Sequence, residues 1–482
     1  MSGVVNSQPG LRRTLSVVGL TAFGIGSIIG TGIFVLTGTA AANQAGPALM
    51  LSFVIAGGAC ALVALCYAEF AAMIPVSGSA YSYAQAAFGE LIAWFIGWNL
   101  VLEYTFSVAT VSVGWSGYVT SLLAQFGVHL PSALTQAPFD RGTGSFEVFT
   151  TGALVNIPAV LIVAAITALC YVGIRESSTA NTTMVALKIA VIVLFILAGM
   201  SHVHPAYWHP FIPPNSGRVG QFGWSGIVAG AGVIVFAYIG FDAISTCAQE
   251  ARRPDRDLPI SILASLAICS VLYMATVAVL TGMVSYRDLN VAAPVALAID
   301  RYPSLHWLGA LVKVGAILGM TSTMLVMTVG QARIFMSMGA DGLLPPWFSR
   351  VHPRFKTPAN GTWVTGLAAA IVGGLLPVRI LGELVSIGTL LAFIAVCIGV
   401  LTLRRTRPEL PRPFKVPWPR FTCIVGALAC AGMILALPRD TWIRLAVWTA
   451  IGFLIYGLYG RRRGRRMRAA AAAAAAVSEQ AR

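Results

Sequence analysis

The chain has 482 residues, 57% of them hydrophobic and only 10% charged, with a mean hydropathy of +0.80. Soluble globular chains carry roughly 25% charged residues, so this composition excludes an ordinary cytosolic enzyme and excludes disorder. The net charge of +15 is spread through short segments rather than gathered in one basic domain, which reads as membrane topology and not as a nucleic-acid footprint.

In chain order, apolar runs bounded by polar, proline or glycine breaks fall at 17–36, 46–74, 90–123, 155–173, 183–203 and 225–248. Six more fall at 260–283, 306–338, 360–377, 381–403, 420–437 and 441–460. A crossing helix needs roughly 20 residues, so an all-α polytopic membrane protein with about twelve transmembrane helices is predicted. Arg12 and Arg13 ahead of the first run would suit a signal peptide. No A-x-A cleavage site follows, however, and Gly30-Thr31-Gly32 leads into further apolar sequence, so 17–36 is read as the first span. Lys and Arg divide 23 to 7 between the two faces, with Lys188 and Lys313 inside spans. That bias puts both termini in the cytoplasm of a multi-pass protein of the inner or plasma membrane. The eight cysteines all lie in apolar segments without a CxxC pair. They read as small packing residues, not as a disulfide framework or a zinc site.

Two spans carry glycine where a lipid-facing helix would prefer leucine. The first reads Gly24-Ile25-Gly26-Ser27-Ile28-Ile29-Gly30-Thr31-Gly32; the sixth runs through Gly226–Gly232 to Phe236-Ala237-Tyr238-Ile239-Gly240-Phe241-Asp242. Interrupted segments at matching positions of two halves point to a transporter site. An unwound stretch exposes N–H and C=O groups that hydrocarbon cannot satisfy, so it calls for a polar ligand or a cavity. The half-helix N-terminus at Thr31 and Gly32 can receive a carboxylate. Carbonyls near Ile28 and along Phe236, Ala237 and Ile239 can receive an ammonium. Together these suit an amino acid. The competing explanation is that the glycines only permit close helix packing.

These stretches, with Tyr67–Phe70, Pro75–Tyr83, Glu250–Pro259 and Arg333–Pro345, resemble the amino acid–polyamine–cation permeases and most closely their cationic amino acid transporter branch. The likeness covers roughly 11–460. It implies an inverted repeat of five plus five helices, with helices 1 and 6 broken, in a core over 17–405. Two extra helices would fill 406–460, between a cytoplasmic tail at 1–16 and a basic, alanine-rich one at 461–482. It also implies secondary amino acid transport. A lysine at the position of Lys188 stands where sodium-coupled relatives hold the ion and bridges span five to the broken first span; a buried amine that can shed its proton makes a proton carrier. Glu103 and Tyr104 would line the pathway or a neighbouring groove. Asp242 would reach across to the first span near Thr31 and help close the pathway. Met320 and Met324, with Phe236, would crowd the side-chain pocket.

Each intramembrane charge is costly, about 2.5–3.5 kcal/mol at a helix centre. Lys313, near the outer end of its span, is expected to snorkel, and Glu69 to be either a gate contact for a loop arginine or an interfacial acid. The six histidines all fall in loops or at span ends, which leaves Lys188 or the acids as proton carrier. A membrane enzyme would want an embedded catalytic constellation such as G-x-S-x-G, a channel would want repeated polar rings, and ATP drive would want G-x-x-x-x-G-K-[ST]. The sequence has none of these. The expected function is proton-coupled uptake of small neutral amino acids, with no cofactor, no ATP and no metal. Its alternatives are cationic amino acid transport and exchange.

Overall fold

The computed structural model describes residues 15–74, 78–141, 148–173, 178–247, 251–461 and 463. Helices dominate because only a backbone that satisfies its own hydrogen bonds is stable in hydrocarbon. Helix α1 (Val17–Ile28) begins at Ser16, whose hydroxyl accepts from the Gly19 N–H at 3.3 Å. It stops at Ile29, where ψ is 99°. Helix resumes over Gly32–Leu36, α2 (Thr37–Ala40) and Ala41–Ala45, wound as π-helix on both sides of α2. Gly46, at φ +59°, then turns the chain into α3 (Leu49–Met73). The first helix thus reaches residue 45 rather than 36, because the break inserts a bend without ending the span.

Helices α4 (Ser79–Phe88) and α5 (Glu90–Gln125) follow. A two-stranded antiparallel hairpin pairs Phe139–Arg141 with Val148–Thr150, a small departure from the all-α class. Next come α6 (Ile157–Val172), which starts at the capping side chain of Asn156, and α7 (Ser178–Met200). Helices α8 (Gly223–Tyr238) and α9 (Ala243–Thr246) flank the second break. The chain continues through α10 (Pro254–Met283), α11 (Pro294–Asp300), α12 (His306–Ala340), α13 (Ala359–Leu375), α14 (Val378–Thr406), α15 (Pro419–Leu435) and α16 (Arg439–Ile455). Among the described residues eight helical stretches are long and apolar enough to cross a membrane, with shorter apolar helices at Ile157–Val172 and Pro419–Leu435. Helices α4 and α11 fall outside the span-length apolar runs, since at 10 and 7 residues they are too short to leave such a signal. Almost all of the two predicted tails lies outside the described residues.

The core of the bundle is the pairing of α5 with α12. Glycine allows it: a Cβ on Gly330 would sit 2.7 Å from the Tyr104 ring. Helix α16 docks on the other side of α5, where Trp98 stacks on Trp448 with centroids 4.6 Å apart. The Trp94 and Trp98 indoles donate to the carbonyls of Gly452 and Trp448.

The buried charges correct one expectation and settle another. Lys313 does not snorkel. It is 1% exposed, and its ammonium donates to Asp300 at 2.9 and 3.0 Å and to Gln125 at 3.2 Å. Helix α11 folds back against α12 and brings the carboxylate to it, a contact no local pattern shows. Glu69 is also buried. It accepts from the Arg404 guanidinium through both oxygens and from the Val416 N–H at 2.8 Å, so α3, α14 and the segment before α15 meet at one carboxylate. The eight cysteines are buried and form no disulfide; Cys66 and Cys423 meet as thiols, with sulfurs 3.6 Å apart.

Candidate transport site at the two helix breaks

At the first break the backbone groups that leave the helix find side chains. The Lys188 nitrogen donates to the carbonyls of Gly26 at 2.8 Å and Ile29 at 3.2 Å, and to the Ser322 hydroxyl at 2.7 Å. Thr323 donates to the Ile29 carbonyl at 3.1 Å, and Tyr273 to that of Ile28 at 2.9 Å. The Ile28 carbonyl, expected to be open to an ammonium, is therefore already engaged by one donor. Beyond the break, the first N–H groups of the resumed helix have no partner in the preceding turn.

The second break needs glycine. Ile239 is extended, with ψ 136°, and Gly240 has φ +119°, a conformation other residues adopt only under strain. The two breaks touch. A Cβ on Gly240 would lie 2.5 Å from the Ser27 hydroxyl, and one on Gly32 would lie 2.6 Å from the Ala237 Cβ.

Between them lies a small cavity of about 10 Å³, about what one water molecule needs. Ser27, Ile28, Gly30, Thr31 and Gly32 form its first wall, and Phe236 and Ile239 come from the second break. Ser107 and Val111 of α5 and Thr323 and Met327 of α12 close it. No ionisable side chain is among these. The structure thus brings Ile28, Thr31, Gly32, Phe236 and Ile239 together, with Lys188 1% exposed behind them.

Other predicted residues fall elsewhere. Ala237 backs Gly32 and is not part of the lining. Asp242 does not reach Thr31. Its carboxylate accepts from the Tyr104 hydroxyl at 2.8 Å and from the Gly240 N–H at 3.2 Å, which ties the second break to α5. Glu103 is 1% exposed and outside the lining, with the Thr389 hydroxyl beside its carboxyl. Met320 and Met324 are also outside the lining. Met320 lies where its sulfur would be 3.3 Å from a Cβ on Gly114. It is on the same helical stripe as Met327 but two turns away, about 10 Å. Ser107, Val111, Thr323 and Met327 also line the cavity and were not among the expected residues. The i, i+4 stripe that carries Glu103 on to Ser107 and Val111 could have found the α5 pair.

Residues 15–456 match the family described as amino acid permease. The chain is 45% identical over 452 residues to the methylthioribose transporter of Bacillus subtilis, covering 94% of each chain. It is 45% identical over 461 residues to the branched-chain amino acid permease of the same organism, covering 95% of this chain and 96% of that one. It is 39% identical over 402 residues to the vacuolar cationic amino acid transporter 4 of Arabidopsis thaliana, covering 83% of this chain and 64% of that one. A multi-pass integral membrane protein with paired helix breaks around a small cavity is the class that the fold defines. Within it, the chain belongs to the amino acid permease family, with relatives among the cationic amino acid transporters.

Proposed function

We propose that this permease couples inward movement of protons to uptake of small neutral amino acids. The observation that carries the proposal is the bridge from Lys188 to the Gly26 and Ile29 carbonyls and the Ser322 hydroxyl. A protonated lysine has three N–H donors, one for each of these acceptors, and so holds α7, the broken α1 and α12 together. A neutral amine has two donors, and the bridge weakens. Substrate binds with its carboxylate at the N–H groups of Thr31 and Gly32 and its ammonium at carbonyls of the two breaks. Loss of the proton on the cytoplasmic side then loosens the break and releases substrate. Neither ATP nor a metal takes part.

A lining without an ionisable side chain favours a neutral substrate, as does the likeness to a branched-chain amino acid permease. A cationic side chain would want a carboxylate there. The same neutral lining and an equal identity to a methylthioribose transporter support a second reading, transport of an uncharged thioether sugar. The five-plus-five repeat over 17–405, helices 11 and 12 over 406–460, cytoplasmic termini and a place in the inner or plasma membrane belong to the same proposal. Uptake of a labelled panel into proteoliposomes, with and without an inward proton gradient, tests it. Accumulation of alanine only with the gradient supports symport. Gradient-independent counterflow with preloaded substrate would show exchange instead.

A further inference from the structure

Four hydroxyls line the cavity, and they divide in a way that bears on specificity. Thr323 is satisfied, donating to the Ile29 carbonyl and lying 3.2 Å from that of Gly319. Ser27, Thr31 and Ser107 are 0–2% exposed and have no hydrogen-bond partner. Hydroxyls inside helices ordinarily bond back to the preceding turn. Thr110 and Ser112, on the same helix as Ser107, do so, to the carbonyls of Phe106 at 2.7 Å and Ala109 at 2.8 Å. Ser107 does not. A buried polar group facing a cavity without a partner is costly, and a ligand can supply what the protein withholds.

Ser27 and Thr31 belong to the broken helix, beside the groups already assigned to the substrate's carboxylate and ammonium. Ser107 stands on another wall, with Val111 one turn above it and Met327 from α12. Resting on the amino acid reading above, we infer that Ser107 is a specificity-determining residue that hydrogen-bonds a hydroxyl on the substrate side chain, so the site prefers β-hydroxy amino acids to their aliphatic isosteres. Threonine presents one hydroxyl and one methyl from the same carbon. The hydroxyl pairs with Ser107, and the methyl packs on Val111 and Met327. Valine fills the same volume but leaves Ser107 unpaired. A site built to bond a substrate hydroxyl rejects the analogue that lacks it, whereas a plain apolar pocket barely distinguishes the two.

The test is competition against labelled alanine uptake by the full chain in proteoliposomes, with threonine and valine as the matched pair. Threonine is expected to compete about five- to a hundredfold better than valine. The ratio should fall to within about twofold in Ser107→Ala and persist in Ser107→Thr, which keeps the hydroxyl. The ratio within each variant is read, so a change in overall uptake does not confuse it. Valine competing as well as threonine with the wild-type chain, or an unchanged ratio in Ser107→Ala, overturns the assignment. Displacement of alanine by ribose and not by threonine gives the hydroxyls to a sugar and overturns it too. Failure of the wild-type chain to take up alanine, valine and threonine alike instead overturns the amino acid reading itself, and this assignment with it.

Discussion

The side-chain nitrogen of Lys188 lies 2.8 Å from the carbonyl oxygen of Gly26, so the middle of α7 is bonded to the last intact turn of α1. Fully buried, that nitrogen satisfies two carbonyls and one hydroxyl from two other helices. A helix break in hydrocarbon must find such partners, and here one side chain supplies several of them. Thr323 and Tyr273 add donors to the Ile29 and Ile28 carbonyls, so Lys188 is the charged member of the set that holds the break.

Close approach of the two breaks is the next requirement. Gly32→Val puts a branched side chain where only 2.6 Å separates the new Cβ from that of Ala237. Either the breaks move apart or the valine fills the N–H cradle. Alanine uptake is expected to fall to background while the purified protein keeps a single symmetric size-exclusion peak. Wild-type uptake by a folded Gly32→Val chain would move the site elsewhere.

Pocket depth is expected to be set by Met327 rather than Met320. Met327→Ala removes most of a side chain from the lining and should raise the affinity of longer neutral amino acids such as leucine relative to alanine, by about tenfold for the two or so methylenes accommodated. Met320→Ala should leave that ranking within about twofold and reduce thermal stability instead, by about 2–5 kcal/mol, as buried Met→Ala changes do. Competition assays on both variants decide between the two positions.

The Lys313–Asp300 pair makes an asymmetric prediction, because Lys313 is 2% and Asp300 45% exposed in their side chains. Asp300→Ala leaves a buried ammonium with Gln125 as its hydrogen-bond partner and is expected to cost about 3 kcal/mol or more. Lys313→Met leaves a carboxylate that water already reaches and fills the buried space, costing about 1 kcal/mol or less. Thermal unfolding in detergent of the two variants should show the larger loss in Asp300→Ala; equal losses would contradict the burial argument.

Much of this was legible in the sequence, for physical reasons. Span-length apolar runs located the long helices, since a lipid environment leaves few alternatives. Glycine clusters located both breaks, since only glycine permits Gly240 at φ +119° and the Gly32–Ala237 contact. What stayed hidden depends on contacts distant in sequence. Asp300 meets Lys313 only because α11 folds back, Asp242 meets Tyr104 rather than Thr31, and Glu69 collects Arg404 from 335 residues away. Depth along a helix was hidden as well. Periodicity gives the face a residue shares, so Met320 and Met327 look alike until the neighbouring helix fixes which one reaches the cavity.

The central claim is that the proton carried by Lys188 is what couples substrate to the gradient. Losing a charged hydrogen-bonded group costs about 1.5–3 kcal/mol, enough to uncouple the broken helix without unfolding the bundle. The direct measurement is alanine accumulation in sodium-free proteoliposomes under an imposed inward proton gradient, for the wild-type chain and for Lys188→Ala. The wild-type chain should accumulate alanine above the external concentration without sodium. Lys188→Ala should equilibrate it at most, a loss of about tenfold or more in the accumulation ratio. Strict sodium dependence of the wild-type chain, or full proton-driven accumulation by Lys188→Ala, would contradict the mechanism.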